Sequence, residues 1–440
     1  MISDTIVSPA TPPGYGGISI VRLSGINAKK IATSMSRGCN NFKTRVATFV
    51  SIFDNDDEKI DDVLITFFKS PRSYTGENVI EFSCHGNPII VDQIVATACD
   101  AGARIAEPGE FTKRAFLNGK LDLLQAESVA SLIQSQSNIA SKINNKVLSG
   151  ELSNKLIDIK NKILGVMAEL EFEFDIRESE LIRPNLINNA IEIVEDSIKS
   201  LNILIGSYKE GRMYNQGARV IIAGKPNVGK STLLNALLNK DRAITDSAPG
   251  TTRDTIHDNI ILEGIPITFV DTAGIRNTNN PVESAGVKRS LLEIKNADLL
   301  INMTSENEYL IDNIDDIDTI TVYNKSDLGS PSNIHKNTFL VSALYKNGIK
   351  SLKKAIIKKL TANNSSGSNT VLTTRRQLDA ITICSLSLKR SHQLLKKELP
   401  ELELVSFELR DAINHIDVLF GKTTTNDLLK RVFSGFCVGK

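Results

Sequence analysis

No run in the sequence approaches the roughly 18 consecutive apolar residues that a membrane span requires. The N-terminus lacks the charged and apolar regions of a signal peptide, and it lacks the Arg-rich composition of an organellar presequence. The five cysteines include no CxxC pair, so neither a disulfide framework nor a zinc site is indicated. These absences favour a bacterial cytoplasmic protein with no membrane association.

The sequence also has almost no net charge, because it contains 52 Lys and Arg residues and 51 Asp and Glu residues. The resulting formal charge of +1 provides no general electrostatic attraction to nucleic acid. Any contact with RNA must therefore be local or shared with a partner. The 440 residues exceed what one hydrophobic core usually supports, so we expect two or three domains.

Apolar periodicity divides the chain into regions of different architecture. Residues 1–118 combine four short β-rich runs with one apolar helical stretch, which predicts a compact α+β domain. Helical patterns predominate after Lys120, and apolar steps of three and four predict amphipathic helices over residues 156–174 and 402–419. Strand-like and helical segments alternate from Arg219 to Leu360, which is typical of a parallel sheet covered by helices.

The two helical regions are not expected to fold alone. The simplest arrangement packs them against each other, so that the α/β domain is inserted into a helical bundle domain that is split in sequence. The polar, small-residue composition of residues 361–370 is typical of a flexible linker at the end of the α/β domain. The predicted domains are residues 1–118, residues 119–215 with 373–440 as the two parts of the helical domain, and residues 216–372.

A phosphate-binding loop is indicated near the start of the α/β domain. A short β-like run is followed by Gly224-Lys225-Pro226-Asn227-Val228-Gly229-Lys230-Ser231 and then by a helical stretch. Strand, Gly-rich loop and helix in this order are the context of a Walker A motif, which argues against a plain Gly-rich turn. Backbone N–H groups then face the phosphates, Lys230 reaches the β and γ phosphates, and the Ser231 hydroxyl binds Mg²⁺.

Three further motifs follow in the order of a GTP-binding protein. Asp271-Thr272-Ala273-Gly274 places a carboxylate at a strand end for the magnesium shell and a glycine N–H near the γ-phosphate. In Asn324-Lys325-Ser326-Asp327, the Asp327 carboxylate accepts hydrogen bonds from the guanine N1–H and 2-amino group. Adenine has neither donor. Ser342-Ala343-Leu344 offers backbone N–H groups to the guanine carbonyl. Residues 324–327 alone fit a polar turn equally well, but the full order predicts a P-loop G domain with a Ras-like parallel sheet.

The residues for hydrolysis differ from those of Ras-like proteins. Thr252, in a Thr-rich segment, is a candidate second Mg²⁺ ligand when its loop closes. Ile275 stands where Ras-like proteins have the glutamine that orients the attacking water. Glu283 is the nearest downstream carboxylate, and it is either the group that orients water or a solvated acid at the start of the next helix.

Motifs outside the G domain are similar to those of one family. The whole chain resembles the MnmE (TrmE) family of tRNA modification GTPases, in the G domain and in these further segments: Thr5-Ile6-Val7, Thr11-Pro12-Pro13-Gly14, Tyr74-Thr75-Gly76-Glu77, His85-Gly86, Pro108-Gly109-Glu110-Phe111, Arg114-Ala115-Phe116-Leu117-Asn118 and the terminal Cys437-Val438-Gly439-Lys440. The resemblance implies a homodimer formed through the N-terminal domains. It also implies that 5-formyltetrahydrofolate or a related reduced folate binds there, at positions matched by Arg22, Glu81, Lys120 and Lys440.

The same resemblance implies the reaction and its partners. A protein of this family acts with MnmG (GidA), in a heterotetramer or a larger complex, and MnmG brings the flavin. It would add an aminomethyl or carboxymethylaminomethyl group to carbon 5 of the wobble uridine of certain tRNAs. Hydrolysis would depend on potassium, held by Asn227 and backbone oxygens of Asp246, Ala248 and Thr251, and Glu283 would position the water.

The candidate site residues are therefore as follows. Mg²⁺ is predicted at Ser231 and Thr252, and catalytic roles at Glu283 and Cys437. GTP is predicted to contact Asn227, Val228, Gly229, Lys230, Ser231, Thr232, Asp246, Ser247, Ala248, Pro249, Gly250, Thr251, Thr252, Asp271, Thr272, Ala273, Gly274, Asn324, Lys325, Asp327, Ser342 and Ala343.

Cys437 lies three residues from the end of the sequence, where an ordinary exposed thiol is the simplest interpretation. The pattern of residues 425–433 predicts a helix that would order the tail. Positive charge at Lys440 and Arg431 would favour the thiolate. If the tail reaches the folate, as the resemblance implies, Cys437 acts there as a nucleophile, an acid or a proton relay.

Two other classes of function share parts of this pattern. A ribosome-assembly GTPase would carry similar nucleotide motifs, but such proteins usually add a basic RNA-binding module. This sequence has neither a KH-type GXXG context nor a basic tail. A purely structural, dimerising GTPase is the third possibility.

Overall fold

The computed structural model describes residues 4–175, 184–238, 258–271, 297–306, 317–329, 338–361, 370–422, 426–436 and 439. The chain forms two compact units. The first comprises Met1–Ile133, Val147–Arg177 and Ser406–Lys440, and the second comprises Gln134–Lys146 and Glu178–Val405. In the part of the chain that the structure describes, no helix is long and apolar enough to cross a membrane.

The N-terminal part of the first unit is a six-stranded sheet covered by helices. Its order is β3-β4-β5-β2-β1-β6, and only β1 and β6 pair in parallel. The strands are β1 (Ile6–Pro9), β2 (Gly16–Ser24), β3 (Ala47–Phe53), β4 (Lys59–Phe68), β5 (Val79–Gly86) and β6 (Arg104–Ile105), with helices α1 (Ala28–Met35) and α2 (Pro88–Asp100). Alternate strand residues such as Val21, Leu23, Ile65 and Phe82 form the core with these helices. The expected α+β domain is confirmed.

Helices complete the first unit: α3 (Glu110–Leu117), α4 (Leu123–Ile133), α6 (Glu151–Asp175), most of α11 (Leu402–Phe420) and α12 (Asn426–Phe433). The predicted stripes are buried from Leu156 to Leu170 in α6 and from Leu402 to Leu419 in α11, and ion pairs join the two helices. Lys160 Nζ lies 2.6 Å from Asp417 Oδ1, and Arg410 Nη2 lies 3.1 Å from Glu171 Oε1. Phe433 of α12 and Phe436 pack into an apolar cluster with α4. The C-terminal helix is thus tied to the unit by apolar contacts.

The second unit contains the α/β domain. Its sheet has the order β12-β11-β10-β7-β9-β8, and every pair is parallel except the antiparallel β8–β9 edge. The strands are β7 (Ala218–Gly224), β8 (Asp258–Leu262), β9 (Ile265–Asp271), β10 (Leu299–Thr304), β11 (Thr319–Tyr323) and β12 (Thr338–Leu340), and α8 (Lys230–Leu238) and α9 (Ile349–Thr361) pack beside them. This is the Ras-like parallel sheet that the sequence predicts.

Helical segments from both sides of the α/β domain also belong to the second unit. They are most of α5 (Asn138–Leu148), α7 (Pro184–Gln216) and α10 (Arg375–Leu395). Helices α7 and α10 pack together, and His392 Nε2 lies 2.9 Å from Glu195 Oε1. Helix α10 begins with a capping box between Thr374 and Gln377. In both units, therefore, a helix before the α/β domain packs on one after it, as expected for a split helical domain.

Candidate functional site

The phosphate loop lies at the carboxyl end of the central strand. Strand β7 is flanked by β9 and β10, and it ends at Gly224, from which the loop leads to α8 at Lys230. The loop conformation requires glycine at position 229, because its φ is +93° and an added Cβ would lie 2.5 Å from Asn324 Nδ2. Ligands of open α/β sheets bind at this end of the strands.

Lys230 and the first turn of α8 carry the chemistry of this loop. The Lys230 side chain is buried, and its Nζ donates to the carbonyl oxygens of Gly224 at 2.9 Å and Lys225 at 3.0 Å. The ammonium group therefore lies inside the loop. Ser231 and Thr232 are exposed at the positive end of the helix dipole. These groups suit a nucleotide phosphate and an associated Mg²⁺ ion.

Asn324 links the phosphate loop to the loop that contains Ser342 and Ala343. This side chain is 3% exposed; its Nδ2 donates to Val228 O at 2.8 Å, and its Oδ1 accepts from the Ala343 N–H at 3.0 Å. The amide thus uses both its donor and its acceptor for contacts within the protein, so we assign Asn324 a positioning role. The sequence did not reveal this role, because the contacts join residues 96 and 19 positions apart.

Asp327 is held by a serine from the next loop. The Ser342 hydroxyl donates to Asp327 Oδ1 at 2.5 Å, which fixes the carboxylate plane. The backbone N–H of Ser342 donates to Asn347 O at 3.1 Å, and that of Ala343 donates to Asn324. Sequence reasoning gave Ser342 a role through its backbone, whereas the structure adds this contact through its hydroxyl. Lys325 has a φ of 61°, which turns the chain between Asn324 and Asp327.

The remaining predicted nucleotide contacts are only partly described. Asp271 ends β9, and its backbone pairs with Ile222 of β7, so the strand end lies beside the phosphate loop. The following candidates fall outside the described residues: Asp246, Ser247, Ala248, Pro249, Gly250, Thr251, Thr252, Thr272, Ala273, Gly274, Glu283, Cys437 and Lys440. Their roles stay predictions.

A second cluster joins three of the motifs in the first unit. Arg22 Nη2 lies 2.7 Å from Glu81 Oε1, between residues that face each other across the β2–β5 ladder. The guanidinium group lies 5.9 Å from the Tyr74 ring centroid and 5.7 Å from that of Phe111. Its Nη1 also lies 3.5 Å from Gly439 O. The structure thus brings two of the predicted folate-binding residues next to the C-terminal tail.

The tail reaches this cluster because residue 439 is a glycine. Its φ is +95°, and an added Cβ would lie 1.9 Å from Pro9 O, so no other residue fits this approach. Lys120, the third predicted folate contact, is exposed and lies against Gly76, since a Cβ there would be 3.4 Å from Lys120 Cε.

A network of ion pairs around the buried Arg114 lies in the same domain as this cluster. Arg114 is fully buried; its Nη2 lies 2.7 Å from Asp4 Oδ1 and 2.9 Å from Glu110 Oε1, and its Nη1 lies 3.2 Å from Glu77 Oε2. Burial opposes ionisation of Asp4 and Glu110, but hydrogen bonds from Arg104 and Arg114 outweigh it and lower the pKa of both carboxyl groups. Three of the motifs on which the family resemblance depends thus meet at one buried arginine.

We expect Arg114→Ala to lower the free energy of unfolding of the first unit by about 3–5 kcal/mol, since it removes the buried cation of the network and leaves Asp4 and Glu110 with Arg104 alone. Lys113→Ala, next to it and without a recorded ion pair in the described residues, is the matched control. The depressed pKa values mean that the network stabilises fully at neutral pH and is lost as pH falls through those values. Denaturant unfolding at pH 7 that does not separate the two variants would contradict this role.

The strand order and the phosphate loop define the class of the α/β domain: it is a P-loop GTPase domain inserted between helical segments. Two family models match the chain: the GTP-binding protein TrmE N-terminus over residues 5–120, and the MnmE helical domain over residues 123–437. The second match spans the inserted G domain. The chain belongs to the MnmE family of tRNA modification GTPases.

Individual relatives match over the full length. The tRNA modification GTPase MnmE of Aquifex aeolicus (strain VF5) is 38% identical, with 99% of this chain and 100% of the relative covered. That of Francisella tularensis subsp. holarctica (strain OSU18) is 39% identical, with 99% of each chain covered. Among solved structures, the FeoB G-domain of Methanococcus jannaschii aligns at 25% identity with a TM-score of 0.25, over 33% of this chain and 98% of that one.

Proposed function

We propose that this tRNA modification GTPase acts with MnmG to add an aminomethyl or carboxymethylaminomethyl group at carbon 5 of the wobble uridine. In this proposal a reduced folate, such as 5-formyltetrahydrofolate, supplies the one-carbon unit, and the reaction takes place in the bacterial cytoplasm. The observation that carries the proposal is the contact between Gly439 O and Arg22. Cys437 is two residues from Gly439 in the sequence, which supports a role for it at the site of the Arg22–Glu81 pair.

The residues of this site suit a reduced folate. The positive charges of Arg22 and Lys120 suit the glutamate carboxylates, and Glu81 is an acceptor for pterin N–H donors. Arg22 is held between Glu81 and two aromatic rings, which limits its side-chain freedom. A bound folate supplies the one-carbon unit, while these residues bind and orient it.

A homodimer is supported by exposed apolar side chains on one face of the N-terminal sheet. The core face holds Val21 and Phe82, so residues one position away point to the opposite face. There Phe49 pairs with Leu64 across β3 and β4, and Ile18 is a further exposed apolar residue, on β2. The side chains of Ile18 and Phe49 are 67% and 69% exposed. A second copy of the same domain would remove this apolar surface from water.

For hydrolysis, we expect K⁺ to accelerate turnover well beyond Na⁺, because Ile275 replaces the water-orienting glutamine. A cation beside the phosphates neutralises developing charge as an arginine finger does. Asn227→Ala and Glu283→Ala should each slow turnover by roughly 10–1000-fold with modest loss of nucleotide affinity. Asn227 has a φ of 64°, so Asn227→Gly keeps the backbone and removes only the amide.

The matched control for this series is Asn235→Ala, an exposed amide on α8. Steady-state hydrolysis in K⁺ and Na⁺ buffers gives the comparison. Equal rates in the two buffers would remove the ion from the mechanism, and full activity of Glu283→Ala would remove that carboxylate.

The proposed reaction is tested by mass spectrometry of tRNA nucleosides from a deletion strain. We expect the C5-modified wobble uridine to disappear in that strain and to return with the wild-type gene. An intact nucleoside profile combined with defective ribosome assembly would instead favour the ribosome-assembly alternative. Intact nucleosides and ribosomes would favour a purely structural GTPase.

A further inference from the structure

Helix α9 carries a row of exposed lysines on its outer face. Ile349, Leu352, Ile356 and Leu360 are buried against the sheet, which fixes the orientation of the helix. Lys350, Lys354 and Lys358 recur at steps of four and are exposed. Residues at this spacing lie on one face of a helix. We refer to these three residues as the lysine ridge.

The surrounding sequence contains no acidic residue to balance this charge. From Leu328 to Leu378 there is no Asp or Glu, and there are nine Lys and Arg residues. The whole chain, by contrast, is balanced, with 51 acidic residues against 52 basic ones. The positive charge is therefore concentrated locally, in the G domain and just beyond it.

Intramolecular pairing does not account for the ridge. Among the described residues no ion pair of Lys350, Lys354 or Lys358 is recorded, whereas Lys359, beside the ridge, lies 3.5 Å from Asp318. Nor does the helix dipole explain all three. Lys358 is in the last turn, where a cation is favourable, but Lys350 is in the first turn, where a cation is unfavourable.

We propose that the lysine ridge binds the phosphate backbone of tRNA. Three lysines four residues apart span about 12 Å along the helix axis, a length that matches several successive phosphates of one strand. Lysines are mobile point charges, which suit contacts to phosphates that do not depend on base sequence. The inference rests on the proposed action on tRNA. Because the whole chain is nearly neutral, contact with RNA requires a local positive surface, and the lysine ridge is such a surface.

The test is tRNA binding by the full-length protein in which Lys350, Lys354 and Lys358 are all changed to Gln. We expect tRNA affinity to fall about 10–100-fold at moderate salt. The slope of log affinity against log salt should become shallower by about 2–3, as expected for three lost phosphate contacts. GTP affinity and hydrolysis should not change, because the ridge lies outside the nucleotide site.

Two further triple variants make the result specific. Changing the same three lysines to Arg keeps the charge and should keep the binding and its salt slope. Changing Lys30, Lys43 and Lys69 to Gln removes the same net charge from exposed positions of the first unit. This control should bind tRNA like the wild type. Equal loss in it would show a net-charge effect and overturn the inference.

Nucleoside analysis of cells that carry the Gln variant separates this inference from the proposed function. If the Gln variant binds tRNA with wild-type affinity and salt slope, the proposed role of the lysine ridge is refuted, even if the wild-type gene restores modification. The same holds if the wild-type protein binds no tRNA. Lost modification with unchanged tRNA affinity would assign the ridge to an acidic protein partner instead.

Discussion

Asp327→Asn is expected to weaken GTP binding by about 100-fold or more and to let xanthosine triphosphate bind in its place. The carboxylate accepts two hydrogen bonds from guanine, and the amide can accept only one while its NH₂ group faces a guanine donor. Losing charge-assisted hydrogen bonds of about 1.5–3 kcal/mol each gives an effect of this size. Xanthine has a carbonyl where guanine has the amino group, so the new amide donates to it.

Competition between GTP and xanthosine triphosphate for a fluorescent guanine nucleotide measures this change. Asp318→Asn is a matched control, because Asp318 pairs with Lys209 and Lys359 at the start of β11. Ser342→Ala should give a smaller loss of GTP affinity, since it removes only the hydroxyl that orients Asp327. An unchanged preference for guanine in Asp327→Asn would refute the assignment.

Cys437→Ser is expected to abolish the wobble-uridine modification while GTP hydrolysis and dimerisation stay normal. The change replaces sulfur by oxygen and removes the reactive thiol. Its expected effect is large because the tail is anchored beside Arg22 by Gly439 and by the packing of Phe433 and Phe436. A thiol with a chemical role in the proposed folate site cannot be replaced by a hydroxyl of much lower nucleophilicity.

Cys39→Ser provides the control, because Cys39 is a partly buried free thiol in the N-terminal core. Both variants are introduced into a deletion strain, and tRNA nucleosides are quantified by mass spectrometry. Wild-type levels of the modified nucleoside in the Cys437→Ser strain would make Cys437 an ordinary exposed residue.

Local patterns were sufficient to predict much of the fold. The four β-rich runs of residues 1–118 lie in strands β2 to β5, and the stripes over residues 156–174 and 402–419 became α6 and α11. These features depend on periodicity and on short motifs. The Walker A loop is likewise a local signal, because strand, loop and helix are consecutive.

Non-local contacts could not be predicted in this way. The links made by Asn324, the buried pairing of Arg114 with Asp4 and the approach of Gly439 to Pro9 each join distant parts of the chain. The lysine ridge did leave a signal, the absence of acidic residues from Leu328 to Leu378. The net charge of the whole chain does not reveal this basic segment, because acidic residues elsewhere offset its positive charge.

Complementation of the deletion strain with Lys230→Ala tests most directly whether GTP hydrolysis by this domain drives tRNA modification. Lys230 Nζ is buried in the phosphate loop, and its loss should reduce nucleotide binding and hydrolysis severely. We expect the wild-type gene to restore the C5-modified wobble uridine, and Lys230→Ala, expressed at the same level, to restore almost none. Full restoration by Lys230→Ala would show that modification does not require the GTPase.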